Sequence, residues 1–95
     1  MKEDILRFIN EFKKNEKQSV LIKTFTEGYC YYFALILNDR FNGEIIYIKD
    51  FDHFVFKKEG FLFDITGNVT YKYKNCKIIE NWRENKTIVK QCILK

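Results

Sequence analysis

At 95 residues the chain is predicted to be one domain, since a chain this short buries only roughly 60–65% of its unfolded surface and has no room for a separate cofactor domain. It is 46% hydrophobic and 18% aromatic with no proline, which excludes a disordered chain, and its longest apolar run falls far short of the ~18 residues that span a bilayer. The net charge of +4 is uneven: residues 1–67 hold 10 basic and 11 acidic side chains, residues 68–95 hold 7 and 2, and the excess reads as a solvated lysine-rich surface.

Near the start Ile5, Phe8, Ile9 and Phe12 recur at helical spacing between charged residues, which predicts an amphipathic helix over residues 3–15. A polar connection follows, and residues 19–25 suit a short extended piece. The second predicted helix covers residues 28–41 and stops at Asn42-Gly43, a pair suited to the left-handed conformation at a helix end. From Cys30 to Leu37 it is apolar on nearly every side, so it is expected to be the central, largely surrounded helix. The pattern then changes to β-rich runs at residues 45–48, 52–56 and 61–65, with a hairpin turn within residues 57–60. Residues 69–73 alternate and suit a further strand. Residues 76–95 contain the lone Trp82 and an apolar cluster that fits helix or strand equally. The expected fold class is α+β, an N-terminal helix and a central buried helix packed on an antiparallel β-meander.

Cys30, Cys76 and Cys92 are odd in number and widely spaced, which indicates neither a disulfide framework nor a zinc site; a reducing cytoplasm fits best. Cys30, the only histidine, His53, and Asp64 stand in an order that suits a Cys-His-Asp triad. A carboxylate bonded to one ring nitrogen would fix the imidazole, leaving the other nitrogen to take the thiol proton. The hairpin register decides whether His53 and Asp64 meet. A two-residue loop at Lys58-Glu59, or a four-residue loop, sets them directly opposite. A loop at Glu59-Gly60 makes them diagonal neighbours on one face, and a three-residue loop sends them to opposite faces. The helix start is also open: Thr24-Phe-Thr-Glu27 reads as a capping box that begins the helix at Phe25, whereas Gly28 favours a later start that puts Cys30 in the first turn. A helix-start thiol is acidified by unpaired backbone N–H groups and the macrodipole. Each residue also has a plainer role, Cys30 and His53 as packed core residues and Asp64 as a turn residue.

The stretches Gly28-Tyr-Cys-Tyr-Tyr-Phe-Ala-Leu-Ile-Leu37, Asp39-Arg-Phe-Asn-Gly43, His53-Phe-Val-Phe56 and Phe61-Leu-Phe-Asp-Ile-Thr-Gly67 together resemble a group of small bacterial and phage proteins of unknown role. Their layout is similar to the minimal core of papain-like cysteine hydrolases, here over about residues 28–67. The resemblance implies Cys30 as nucleophile, His53 as general base and acid, and Asp64 as the orienting group. One departure stands out: papain-like enzymes usually carry a glutamine shortly before the cysteine, where this chain reads Lys23-Thr-Phe-Thr-Glu27. Thr24, Thr26 or backbone N–H groups are the substitutes available to hold an oxyanion, and losing one such donor costs about 10²–10³-fold in rate.

The sequence therefore predicts a cytoplasmic cysteine hydrolase cleaving an amide, peptide or thioester bond through a Cys30 acyl-enzyme, with no cofactor and no metal. The alternative is a non-catalytic phage or bacterial accessory or inhibitor protein that binds a host protein partner through the same fold. The partner in either case is a peptide or protein; nucleic acid is disfavoured, since no recognition motif accompanies the basic third, and no membrane is involved.

Overall fold

The computed structural model describes residues 2–14 and 30–92. Helix α1 is Lys2–Lys14, and its Ile5 and Ile9 are buried while Arg7, Asn10 and Glu11 face outward, so the spacing seen in the sequence is the packing stripe. Glu3 and Asp4 in its first turn and Lys13 and Lys14 in its last complement the helix dipole. Helix α2 is Cys30–Phe41. It buries Cys30, Phe33, Ala34 and Leu37, while Tyr32 and Leu35 are exposed, so its burial is one-sided rather than all round. Asn42 ends it in the left-handed conformation, its N–H reaching Asn38 O at 2.8 Å, and the Asn38 side chain accepts the Gly43 N–H at 3.0 Å. The residues 19–25 predicted as extended, and both predicted starts of this helix, lie outside the described residues.

Strands β1 (Glu44–Ile48), β2 (His53–Lys58), β3 (Phe61–Asp64), β4 (Gly67–Asn68) and β5 (Ile78–Ile79) form one antiparallel sheet in the order β4-β3-β2-β1-β5. A short 3₁₀ turn, Lys49–Phe51, joins β1 to β2, and Asp52 after it takes a left-handed conformation (φ 48°). Glu59 and Gly60, both with positive φ, make the two-residue loop between β2 and β3. That loop fixes Phe56 opposite Phe63. It is the register in which His53 and Asp64 are diagonal neighbours on one face.

Alternation along the strands sorts the core onto two sides of the sheet. On one side Phe56 and Phe63 pack with Ile5, Ile9, Phe33 and Leu37, and Phe54, Ile45 and Tyr47 pack with Cys30, Ala34 and Trp82. On the other, Ile46, Ile48, Val55 and Leu62 meet Val69 and Tyr73. The helices cover the first side and the segment after β4 covers the second.

The expected strand over residues 69–73 does not form. Val69 N–H reaches Leu62 O at 2.8 Å, but Thr70 then turns its side-chain hydroxyl onto the Leu62 N–H at 2.9 Å. The ladder is capped there by a side chain and the chain folds over in turns, with Tyr73 N–H on Val69 O. The undecided C-terminal region contains β5, a 3₁₀ turn at Trp82–Glu84 and helix α3, Lys86–Cys92. Trp82 is buried and its indole N–H donates to Ile45 O at 2.8 Å, satisfying a β1 carbonyl beyond the two-residue pairing with β5. Among the described residues no helix is long and apolar enough to cross a membrane.

Candidate functional site

The end of β1, the start of β2 and the end of β3 lie at one end of the sheet, and Cys30 of α2 reaches the same place. His53 is the first residue of β2, set by the left-handed turn at Asp52; the Asp52 carboxylate accepts the Tyr47 hydroxyl hydrogen. Its Nε2–H donates to Asp64 Oδ2 at 2.9 Å. The other carboxylate oxygen, Oδ1, accepts two bonds from Thr66, the backbone N–H at 2.8 Å and the hydroxyl at 2.5 Å. Asp64 is thus held from both sides, and its plane is fixed.

With Nε2 committed to Asp64, the second ring nitrogen of His53 is the one left for the thiol. Cys30 and His53 are close enough for each to shift the other's titration, and the Phe54 backbone N–H donates to Cys30 Sγ at 3.5 Å. The Tyr31 N–H also favours the ionised sulfur. Cys30, His53 and Asp64 are 7%, 5% and 4% exposed, so the cluster is assembled largely out of water.

The electrostatics follow from that burial and those bonds. Burial pushes the Cys30 thiol up, but the hydrogen bond to His53, the Phe54 N–H, the His53 charge and the Tyr31 N–H together hold it below its ordinary value. Burial by itself would lower His53; its bonds to Asp64 and Cys30 and their negative charges outweigh this and push it up to about 9. Asp64 is raised by burial and lowered more strongly by His53 and Thr66, ending below the usual carboxylate range. These shifts favour a thiolate beside an imidazolium, with an ionised carboxylate behind it, over a wider pH range than the free groups would allow. Cys76 contrasts: burial and the neighbouring Asp50 push its thiol up. The described residues contain no group of acidic, histidine or cysteine side chains able to hold a metal ion.

Three of the site residues expected from sequence are therefore together. Thr24 and Thr26, the expected oxyanion donors, lie outside the described residues. Three participants were not foreseen. Thr66 had a signal, since Asp-x-Thr is a common pattern for a side chain capping its own turn. The Phe54 N–H had none, because a backbone donor leaves no mark in composition. Tyr73, whose ring centroid is 5.8 Å from that of His53, comes from a segment whose return over the sheet depends on turns the alternating pattern concealed.

A small α+β protein with a buried cysteine beside a hydrogen-bonded histidine and aspartate is the class that fold and site define. Residues 5–94 match the family described as Phage YunG-like protein, and the chain belongs to that family. No curated protein and no solved structure matches it.

Proposed function

We propose that the chain is a cysteine hydrolase of papain-like type, cleaving an amide, peptide or thioester bond through an acyl-enzyme on Cys30. The observation that carries this reading is the buried cluster in which His53 is hydrogen-bonded to Asp64 and stands next to the Cys30 sulfur that the Phe54 N–H holds. In the first step the Cys30 thiolate attacks the carbonyl carbon, a C–S bond forms, and the carbonyl π electrons move onto oxygen. As they return, the bond to the leaving amine or thiol breaks, and His53 gives it a proton. Neutral His53 then takes a proton from water, the hydroxide attacks the thioester, the acid product leaves, and the thiolate and imidazolium are restored. Asp64 keeps the ring aligned and its charge stabilises the imidazolium.

The test is the pH dependence of iodoacetamide alkylation at Cys30, read by peptide mass so that Cys76 and Cys92 are followed separately. The wild-type rate should reach its plateau well below the ordinary thiol range, and His53→Ala should move the inflection back up toward about 8.5. An ordinary profile in the wild type, unchanged by the substitution, would sink the reading.

The non-catalytic reading, a phage or bacterial accessory that binds a host protein, is favoured by one observation: the three side chains are nearly closed off among the described residues. Cys30→Ser discriminates. It abolishes turnover under the hydrolase reading and leaves biological activity intact under the other.

A further inference from the structure

The rim around the candidate site is built from two neighbouring segments, the β1–β2 connection and the turns before β5. The Lys49 N–H donates to Lys77 O at 3.0 Å and the Lys77 N–H to Asp50 Oδ2 at 3.2 Å, which ties them together. Between them runs a row of rings: Phe51 meets Tyr73 edge-on at 5.5 Å between centroids, and Tyr73 leans on His53 at 5.8 Å. Tyr73 is buried, but Phe51 is 57% exposed and Tyr71, in the same turns, is 86% exposed. Phe51 thus leaves a large apolar ring in water next to the ring that leans on His53.

The charge around these rings has one dominant sign. Lys49, Lys72, Lys74 and Lys77 are all exposed, and among the described residues none of them is in a salt bridge. Lys72 lies over the Tyr73 ring with Nζ at 5.3 Å from its centroid. The two carboxylates of the rim are already engaged, Asp50 by the Lys77 N–H and Asp52 by the Tyr47 hydroxyl. Three of the seven basic residues of the C-terminal third, with Lys49, thus lie in these two segments.

We infer that this rim is the substrate-binding face of the Cys30 site, and that it takes an acidic peptide segment carrying an apolar side chain. The inference rests on the hydrolase reading above. Phe51 receives the apolar group, and Lys49, Lys72, Lys74 and Lys77 receive the carboxylates. Aromatic rings among lysines also suit a single-stranded nucleic acid. The ring contact that leads from Phe51 through Tyr73 to His53 favours the peptide, because it ends at the histidine proposed to serve acyl chemistry.

The experiment uses fluorescence anisotropy with the full chain, both wild type and Cys30→Ser, so that binding is read without turnover. The probes are a fluorescein-labelled pentapeptide with Phe between pairs of Glu, the same peptide with Lys in place of Glu, and labelled oligothymidylate. The Glu peptide should bind and the Lys peptide should not, and affinity should fall roughly tenfold from low to high salt. Lys72→Glu with Lys74→Glu should weaken binding by about tenfold, and Phe51→Ala by about fivefold. Equal binding of the two peptides, no effect of the rim substitutions, or tighter binding of oligothymidylate overturns the inference. The hydrolase reading fails separately, in the alkylation profile: selective Glu-peptide binding beside an ordinary thiol keeps the acidic-peptide surface and removes the catalysis.

Discussion

Thr66 gives both of its donors to one oxygen of Asp64, and through that carboxylate it acts on the His53 ring. Removing the hydroxyl in Thr66→Val leaves the backbone bond and deletes about 1 kcal/mol of stabilisation of the ionised carboxylate. Asp64 should then hold the imidazolium less firmly, so the His53 titration should fall below about 9, while Thr66→Ser should restore it. The chain has a single histidine, so its ring resonances in a pH titration followed by NMR read this directly. An unmoved titration in Thr66→Val would show that Thr66 only closes a turn. At this scale the sequence was informative where chemistry needs a particular side chain, as at Cys30, His53 and Asp64. It was silent where the work falls to a backbone group, as at Phe54 N–H.

Two glycines separate the ways an element can depend on a missing side chain. At Gly43, between α2 and β1, an added Cβ would stand 2.4 Å from Lys57 O and 2.8 Å from the Phe56 ring, so helix and strand meet only because nothing is there. Gly60 faces open space, but its φ of +83° is a conformation other residues adopt at a cost. Gly43→Ala should therefore cost about 1–3 kcal/mol or more through overpacking, and Gly60→Ala about 1–2 kcal/mol through backbone strain. Urea denaturation midpoints check the order, and a larger loss at Gly60 would contradict it. The hairpin also shows why elements were easier to read than their register. The apolar runs fixed that β2 and β3 exist, but the choice among loops turned on the backbone at Glu59 and Gly60, both of which accept positive φ here. The segment over residues 69–73 was misjudged for a related reason, since alternation describes a strand and a turn-rich cover equally well until Thr70 caps the ladder.

For the whole molecule, the site residues set how stability varies with pH. Asp64 titrates lower in the folded chain than its unfolded value of about 3.9, so its contribution is present above that pH and lost as pH falls through the folded value. His53 is raised, so its contribution is complete below about 6.5 and is lost as pH rises through about 9. Cys30 is lowered, so its contribution grows with pH toward its unfolded value. Above about 6.5 the folded chain keeps a proton on His53 that the unfolded chain has lost, and it gives up the Cys30 proton at a lower pH than the unfolded chain does, so the two slopes oppose each other. The Tm should therefore be nearly flat from neutral to mildly alkaline pH and fall in acid. In Cys30→Ser, with His53 still raised by Asp64, stability should decline by up to about 1.4 kcal/mol per pH unit over the same range. Identical slopes in the two proteins would rule out the offset.

The thiol comes to the end of β2 with α2, on the side of Phe54, while His53 and Asp64 belong to the side that Val55 and Tyr73 occupy. Neither covering of the sheet contains the whole triad. His53 and Asp64 come with the sheet itself and Cys30 comes with α2, so the triad is complete only where α2 is seated on β2. A thiolate-selective reagent should therefore report whether that helix is seated on the sheet.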